Sequence, residues 1–348
     1  MRSRSRLLLV AVAALSLVAA PDPANAVTDP RLSEQWGLPA IGAPTAWSVG
    51  IGNGVTIAVV DTGADFGHED LAPKLLPGRN FVDPAKSAQD DQGHGSHVSG
   101  IAAAATGNGV GIAGTAPGAR ILPVKVLDAS GRGSVDDISE GIRWAAANGA
   151  QVINLSLGPN AVLATLLGSG LEDAVNDAWS RGSVVVIAAG NDFLFSSSYS
   201  RVNAIVVTAT TRDDRQAGYA SNVGAAKWGL AAPGGAGGDN KADNILSSFW
   251  EAGRPNAYQY LAGTSMATPH VAGAAAVLRG LGLTPQQTVD RLLATAKDLG
   301  PSGRDSTYGA GRLDLAAAVS GLASPALPTT TVPALAAGPS PAPRATPA

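Results

Sequence analysis

The sequence predicts an α/β protein whose mainly parallel sheet is covered by helices on both faces. Short apolar runs recur at 55–60, 121–126, 152–155, 184–188 and 205–209. Their length and β-rich composition suit strands buried on both faces. Helix-length segments lie between them, 135–148 closed by Gly149 and 171–181 closed by Gly182, and a glycine just past the end is a usual helix stop. Strands alternating with helices argue for parallel pairing. A carboxylate follows the first of the apolar runs, at the strand end where open α/β sheets place their sites.

Along the chain, three arginines (Arg2, Arg4, Arg6) precede an apolar stretch at 7–20, and Ala24-Asn25-Ala26 offers small residues for cleavage. This is the pattern of a secretory signal peptide, so residues 1–26 are expected to be removed and the product secreted and extracellular. The stretch is short for a membrane anchor, and no span is expected afterwards. A single domain is expected over 27–322. From 323 to 348 the chain turns Pro-, Ala- and Thr-rich without aromatic residues. Such a tail buries too little apolar area to offset its ordering entropy and is expected to be disordered. The 348 residues contain no cysteine, so a large core must carry the stability of an exported protein, with metal as an optional aid. A formal net charge of −3 gives no reason to expect nucleic acid as partner. A monomer is expected.

The run at 55–60 leads into Asp61-Thr62-Gly63, which puts a carboxylate at the C-terminal end of a buried strand. His94 stands between Gly93 and Gly95, where the absence of Cβ atoms would let other groups approach the ring closely. Ser134-x-x-Asp137 reads as a capping box ahead of the first long helix. The stretch 184–188 ends at Ala189-Gly190-Asn191. Ser265 follows Gly263-Thr264 at the mouth of an apolar helix over 271–278, where its own N–H and the positive helix end suit a developing oxyanion. Pro269 is expected near that helix's first turn, where a missing N–H costs least. Thr284-Pro285-Gln286-Gln287 opens another helix.

Asp61, His94 and Ser265 together supply the carboxylate, imidazole and hydroxyl of a nucleophilic triad. His94 is the expected base because imidazole titrates near neutrality and can both take and return a proton. His97 and His270 lie within helical segments and read as hydrogen-bonded core residues; His68, in His68-Glu69-Asp70, reads as solvated. An esterase elbow would need Gly-x-Ser-x-Gly, and Gly263-Thr264-Ser265-Met266-Ala267 lacks its last glycine.

From about Asp29 to Val319 the chain resembles the subtilisin-like serine proteases, the subtilases, and is most similar to their thermitase-like branch. The resemblance rests on Val59-Val60-Asp61-Thr62-Gly63, Gly93-His94-Gly95-Ser96-His97-Val98, Asn154-Leu155-Ser156-Leu157-Gly158, Ala188-Ala189-Gly190-Asn191 and Gly263 through His270, in the family's order. It implies the three-layer subtilase fold and a secreted endopeptidase acting through an acyl-enzyme on Ser265, with polypeptides as substrates. His94 would be the base, Asp61 its orienting partner and Asn191 the oxyanion donor, in the chain order this family uses. It further implies that Gly131-Arg132-Gly133 and Ser156-Leu157-Gly158 flank the substrate strand. A structural Ca²⁺ would be held by Asp29, Asp70, Ala105, Asn108, Val110 and Ile112. Two departures stand out. A folding propeptide is usual in the family, whereas here the motif-bearing region begins almost at Val27. After Asn191, the stretch Asp192-Phe193-Leu194-Phe195 lacks the family's Tyr-Pro pattern, so specificity is not carried over. A second thermitase-like calcium site at Asn80 and Asp83 meets Ala85 and Lys86 instead of the family's aspartate.

Overall fold

A computed structural model describes residues 29–157, 170–192 and 199–323. Seven strands, β1 (Thr56–Asp61), β2 (Arg79–Asn80), β3 (Arg120–Lys125), β4 (Val152–Leu155), β5 (Val184–Ala188), β6 (Ala204–Thr210) and β7 (Trp228–Pro233), make one sheet in the order β2-β3-β1-β4-β5-β6-β7. Every neighbouring pair in it is parallel. The five expected strands form within a residue of their expected ends. β2 is too short to show an apolar pattern, and β7 (Trp-Gly-Leu-Ala-Ala-Pro) is poor in β-branched residues, which is why neither was legible. The antiparallel pair β8 (Ile245–Glu251) and β9 (Arg254–Leu261) also went unread.

Helices α1 (Gly37–Ala40), α2 (Ala43–Ala46), α3 (His94–Ala103), α4 (Val135–Ala147), α5 (Leu171–Ser180), α6 (Thr264–Gly280), α7 (Pro285–Ala294) and α8 (Leu315–Val319) surround the sheet. The two-residue period of the strands divides the core. Ala58, Val60, Ile153 and Leu155 face Ile138 and Ile142 of α4 and Ala174 and Val175 of α5. Ile57, Val59, Val152 and Val186 face the opposite layer, with α3 and α6. Each fully buried Val, Leu or Ile contributes about 1.5–3 kcal/mol. The sheet is therefore fixed from both sides, as expected of parallel strands.

α6 is buried from Thr264 through Leu278, all round its axis, and its Ala and Gly side chains let it press close. A Cβ on Gly273 would lie 2.6 Å from Thr115 Cβ and 2.9 Å from the Ala102 carbonyl. Pro269 lies inside this helix, a turn later than expected. Thr284 and Gln287 form the reciprocal capping box of α7. At α4 only half of one forms: Ser134 accepts from Asp137 N, while the Asp137 carboxylate accepts the Ser134 hydroxyl. The chain leaves β1 for β2 and β3 on one side and reaches β4 on the other. The C-terminal end of β1 is thus the switch point at which open α/β sheets place ligands.

Candidate active site

Asp61 ends β1, fully buried. Its Oδ1 accepts from Thr62 N at 2.7 Å and pairs with His94 Nδ1 at 2.8 Å. His94 opens α3 directly after Gly93, whose φ of 105° only glycine adopts readily. The flanking glycines serve packing, and not access to the ring as expected. A Cβ at 93 would collide with the Phe249 ring, and one at 95 with the Gly63 carbonyl. With Nδ1 committed to Asp61, Nε2 is left toward the partly open side, the ring being 25 % exposed. Burial works against the charged imidazolium, but the charge and hydrogen bond of Asp61 outweigh it, and the His94 pKa stands above the ordinary value.

Ser265 is the second residue of α6, 6 % exposed. Its hydroxyl donates to the Ser156 carbonyl at 3.0 Å, so its proton must be turned away from Ser156 before it can bond His94. Asn191 stands just beyond β5. Thr264 holds its Oδ1 twice, through N–H at 2.9 Å and hydroxyl at 3.0 Å. That fixes the amide so that Nδ2 keeps its hydrogens for another acceptor. Thr264 had no expected role; a hydroxyl directly before Ser265 was the available signal.

Two more unpredicted residues shape the site. Asp90 is buried and accepts from Thr62 Oγ1, Gln92 N, Gly93 N, Ser96 N and Ser96 Oγ. It therefore holds Ser96 N in the first turn of α3, the two N–H groups just ahead of that helix and the hydroxyl of Thr62, the residue after Asp61. Its place four residues ahead of His94 was a legible cap signal. Lys125 is buried in β3 in register with Asp61. It donates to Thr62 O, Leu127 O and Asp91 Oδ1 at 2.7–2.8 Å, tying the ends of β1 and β3 together.

The remaining histidines are structural. His97 Nε2 contacts Gln259 O and His270 Nδ1 contacts Met266 O; burial pushes their pKa values down to about 3 and about 4. His68 is not solvated as expected but fully buried. Its Nε2 meets Ala257 O and its Nδ1 accepts from Asp70 N, because β9 closes over the loop.

Of the expected substrate segments, Ser156 and Leu157 are buried at the end of β4 beside Ser265, while Gly158 lies outside the described residues. Gly131, Arg132 and Gly133 follow β3 in a loop organised by Asp128, which accepts from Ser130 N and Arg132 N. A Cβ on Gly131 would come within 3.9 Å of the Gln92 amide, two residues from His94. Phe193, Leu194 and Phe195 lie outside the described residues.

Asp29 and Asp70 converge on one loop. Asp29 accepts from Gly107 N and Asn108 N; Asp70 accepts from Asn108 Nδ2, Ile112 N and Tyr258 Oη. Burial, the largest influence, raises the Asp70 pKa against these hydrogen bonds. Among the described residues no donor reaches the carbonyls of Ala105, Val110 or Ile112. Carboxylate and carbonyl oxygens are the ligand type a hard cation takes, and in this structure the two carboxylates are held by N–H and O–H donors. No cluster of three His, Asp or Glu suited to a metal occurs among the described residues. At the other loop Asp83 is paired with Lys86, and Asn80 bonds Asp83 N and Ser87 O.

A carboxylate-oriented imidazole on α3 and, on the helix α6 packed against it, a serine at the N-terminus are the equipment of a serine hydrolase. The subtilase family model matches residues 52–311. Thermitase of Thermoactinomyces vulgaris is 42 % identical over 289 residues, covering 82 % of this chain and 96 % of its own. An alkaline protease of Alkalihalobacillus alcalophilus is 41 % identical over 297 residues, covering 84 % and 71 %. The solved structure of a Pseudoalteromonas arctica protease superposes with a TM-score of 0.73 at 34 % identity, covering 85 % of this chain and 99 % of that one. The chain belongs to the subtilase family, and it is a serine endopeptidase of the subtilisin type.

Proposed function

We propose that the enzyme cleaves polypeptides through an acyl-enzyme on Ser265. His94 Nε2 takes the Ser265 Oγ proton as Oγ bonds to the scissile carbonyl carbon. The carbonyl oxygen, now negative, is met by the Ser265 N–H and Asn191 Nδ2. The intermediate collapses by breaking the C–N bond, and the departing amine takes the proton from His94. Water then repeats the cycle against the acyl ester, returning Ser265 and releasing the acid. Asp61 keeps the proton of neutral His94 on Nδ1 and stabilises the imidazolium. The segments 131–133 and 156–158 pair with the substrate backbone.

The observation that carries this reading is the 2.8 Å bond between Asp61 Oδ1 and His94 Nδ1. It leaves Nε2 as the base at the switch point where Ser265 stands. A fluorophosphonate is expected to label the enzyme on Ser265, and Ser265→Ala to lose both labelling and casein hydrolysis while staying folded. Casein cleavage by that variant at near the parental rate would refute the assignment.

The same reading makes the protein a secreted monomer, with residues 1–26 as leader and 323–348 as tail. The donor set at Asp29, Asp70, Asn108 and the carbonyls of Ala105, Val110 and Ile112 suits a structural Ca²⁺. When bound, the ion would supply charge that offsets two carboxylates and ties Asp29 to the loop at 105–112.

A further inference from the structure

Within an α-helix the carbonyl of residue i is paired with the N–H of residue i+4. For Ser265, near the start of α6, that residue is Pro269, which has no N–H. The carbonyl lies in a buried setting, where an unpaired acceptor is costly. Ser156 Oγ donates to it at 2.9 Å from the end of β4. Ser156 is 1 % exposed, and its Oγ in turn accepts from Asn154 Nδ2 at 2.8 Å, Asn154 being fully buried. Since Asn154 donates to the hydroxyl, the Ser156 proton is directed onward to Ser265. Turning the amide round would draw that proton to Asn154 and strand the Ser265 carbonyl instead.

We propose that Ser156 is a positioning residue for the nucleophile, its hydroxyl replacing the backbone donor that Pro269 removes from the carbonyl of Ser265. The inference rests on Ser265 being the nucleophile. Residues 156 and 265 are joined reciprocally, hydroxyl to carbonyl in each direction. When the Ser265 side chain turns from Ser156 O toward His94, its own hydrogen bond is lost. The bond from Ser156 Oγ holds the main chain in place meanwhile, so the change stays within the side chain. The proline has a consequence of its own: position 269 supplies no N–H to the carbonyl, and a donor to it comes from Ser156, just beyond β4. The nucleophile is thereby registered to the sheet as well as to α6.

The test compares Ser156→Ala with Ser156→Ala/Pro269→Ala, which restores an N–H within reach of the stranded carbonyl. Ser156→Ala is expected to lower kcat and the rate of fluorophosphonate labelling by about tenfold or more, with KM little changed, the cost of stripping a buried acceptor of its donor. The double variant is expected to recover most of that loss. A Ser156→Ala enzyme with kcat within about twofold of the parent, or a folded double variant with no recovery, overturns the proposal. If Ser156→Ala alone does not fold, the double variant decides: parental kcat supports the proposal, and loss of folding or of kcat refutes it. The labelled residue separates this test from that of the nucleophile. Label on a residue other than Ser265 defeats the acyl-enzyme reading; label on Ser265 at the parental rate in Ser156→Ala defeats only the role of Ser156.

Discussion

Asn191 is exposed, yet its amide is oriented by two bonds from Thr264. An oriented donor stabilises charge that develops in the transition state and does little for the bound substrate. With Asn191 in the proposed oxyanion role, Asn191→Leu is expected to cut kcat by about 10²–10³, the loss known for the oxyanion donor of subtilisin, with KM nearly unchanged. Steady-state kinetics on a peptide anilide checks it; a rise in KM at constant kcat would assign Asn191 to ground-state binding. His94 makes a second residue-scale prediction. Catalysis needs the neutral ring, and Asp61 raises its pKa above the ordinary value of 6.5. The acid limb of kcat/KM should accordingly lie above the pH at which free imidazole titrates, with activity kept in mild alkali. A profile peaking in acid would contradict it.

The first turn of α3 depends on Asp90, which accepts from two backbone N–H groups preceding the helix and from Ser96 within it. Its charge also favours the protonated form of His94. Asp90→Asn puts an amide against donors and removes that charge. Two outcomes are expected together: a lower melting temperature and an acid limb of kcat/KM displaced toward lower pH. A variant that melts lower but keeps the limb in place would restrict Asp90 to a structural role. α7 offers the contrast. Its capping box at Thr284 and Gln287 is exposed and lies beyond the end of α6 opposite to Ser265. Thr284→Ala should cost about 1 kcal/mol of stability, measured by melting, with kcat unchanged.

Acid should loosen the molecule as a whole through His97 and His270. Both are held neutral, with folded pKa values of about 3 and about 4 against an unfolded 6.5. Between those values the unfolded chain binds more protons than the folded one, so stability falls as pH drops below 6.5. Their contribution is fully present above that pH and gone below about 3. The melting temperature of inactive Ser265→Ala should fall steadily from pH 6.5 to 4, the slope being reduced in a folded His270→Asn variant. A further molecular-scale test concerns the cation. A ligand bound only by the folded state at a thousandfold excess over Kd adds about 4 kcal/mol. Chelator should then lower the melting temperature of Ser265→Ala, and Asp70→Ala should reproduce much of that loss with calcium present. Equal melting with calcium and with chelator would remove the site.

Local sequence determined the strands at the centre of the sheet, because runs such as Thr56–Asp61 and Val184–Ala188 are apolar on both faces and fit no other environment. It also determined the helix starts with their own caps, and the motifs bearing Asp61, His94, Asn191 and Ser265, since each needs only its immediate neighbours to be recognised. Features that depend on residues far apart in the chain were decided by tertiary structure. His68 looked solvated in a polar triplet until β9 covered it, supplying the Ala257 carbonyl across 189 positions. β2 and β7 take their strand character from the neighbours they pair with, and their own side chains do not announce it. Pro269 was placed a turn too early because the cost of its missing N–H was judged within the helix. In the folded protein that cost is offset by a hydroxyl from β4, 109 residues away along the chain. A hydrogen bond needs its two partners within about 3 Å in space and is indifferent to their separation in sequence, so such pairings become visible only once the chain has closed around them.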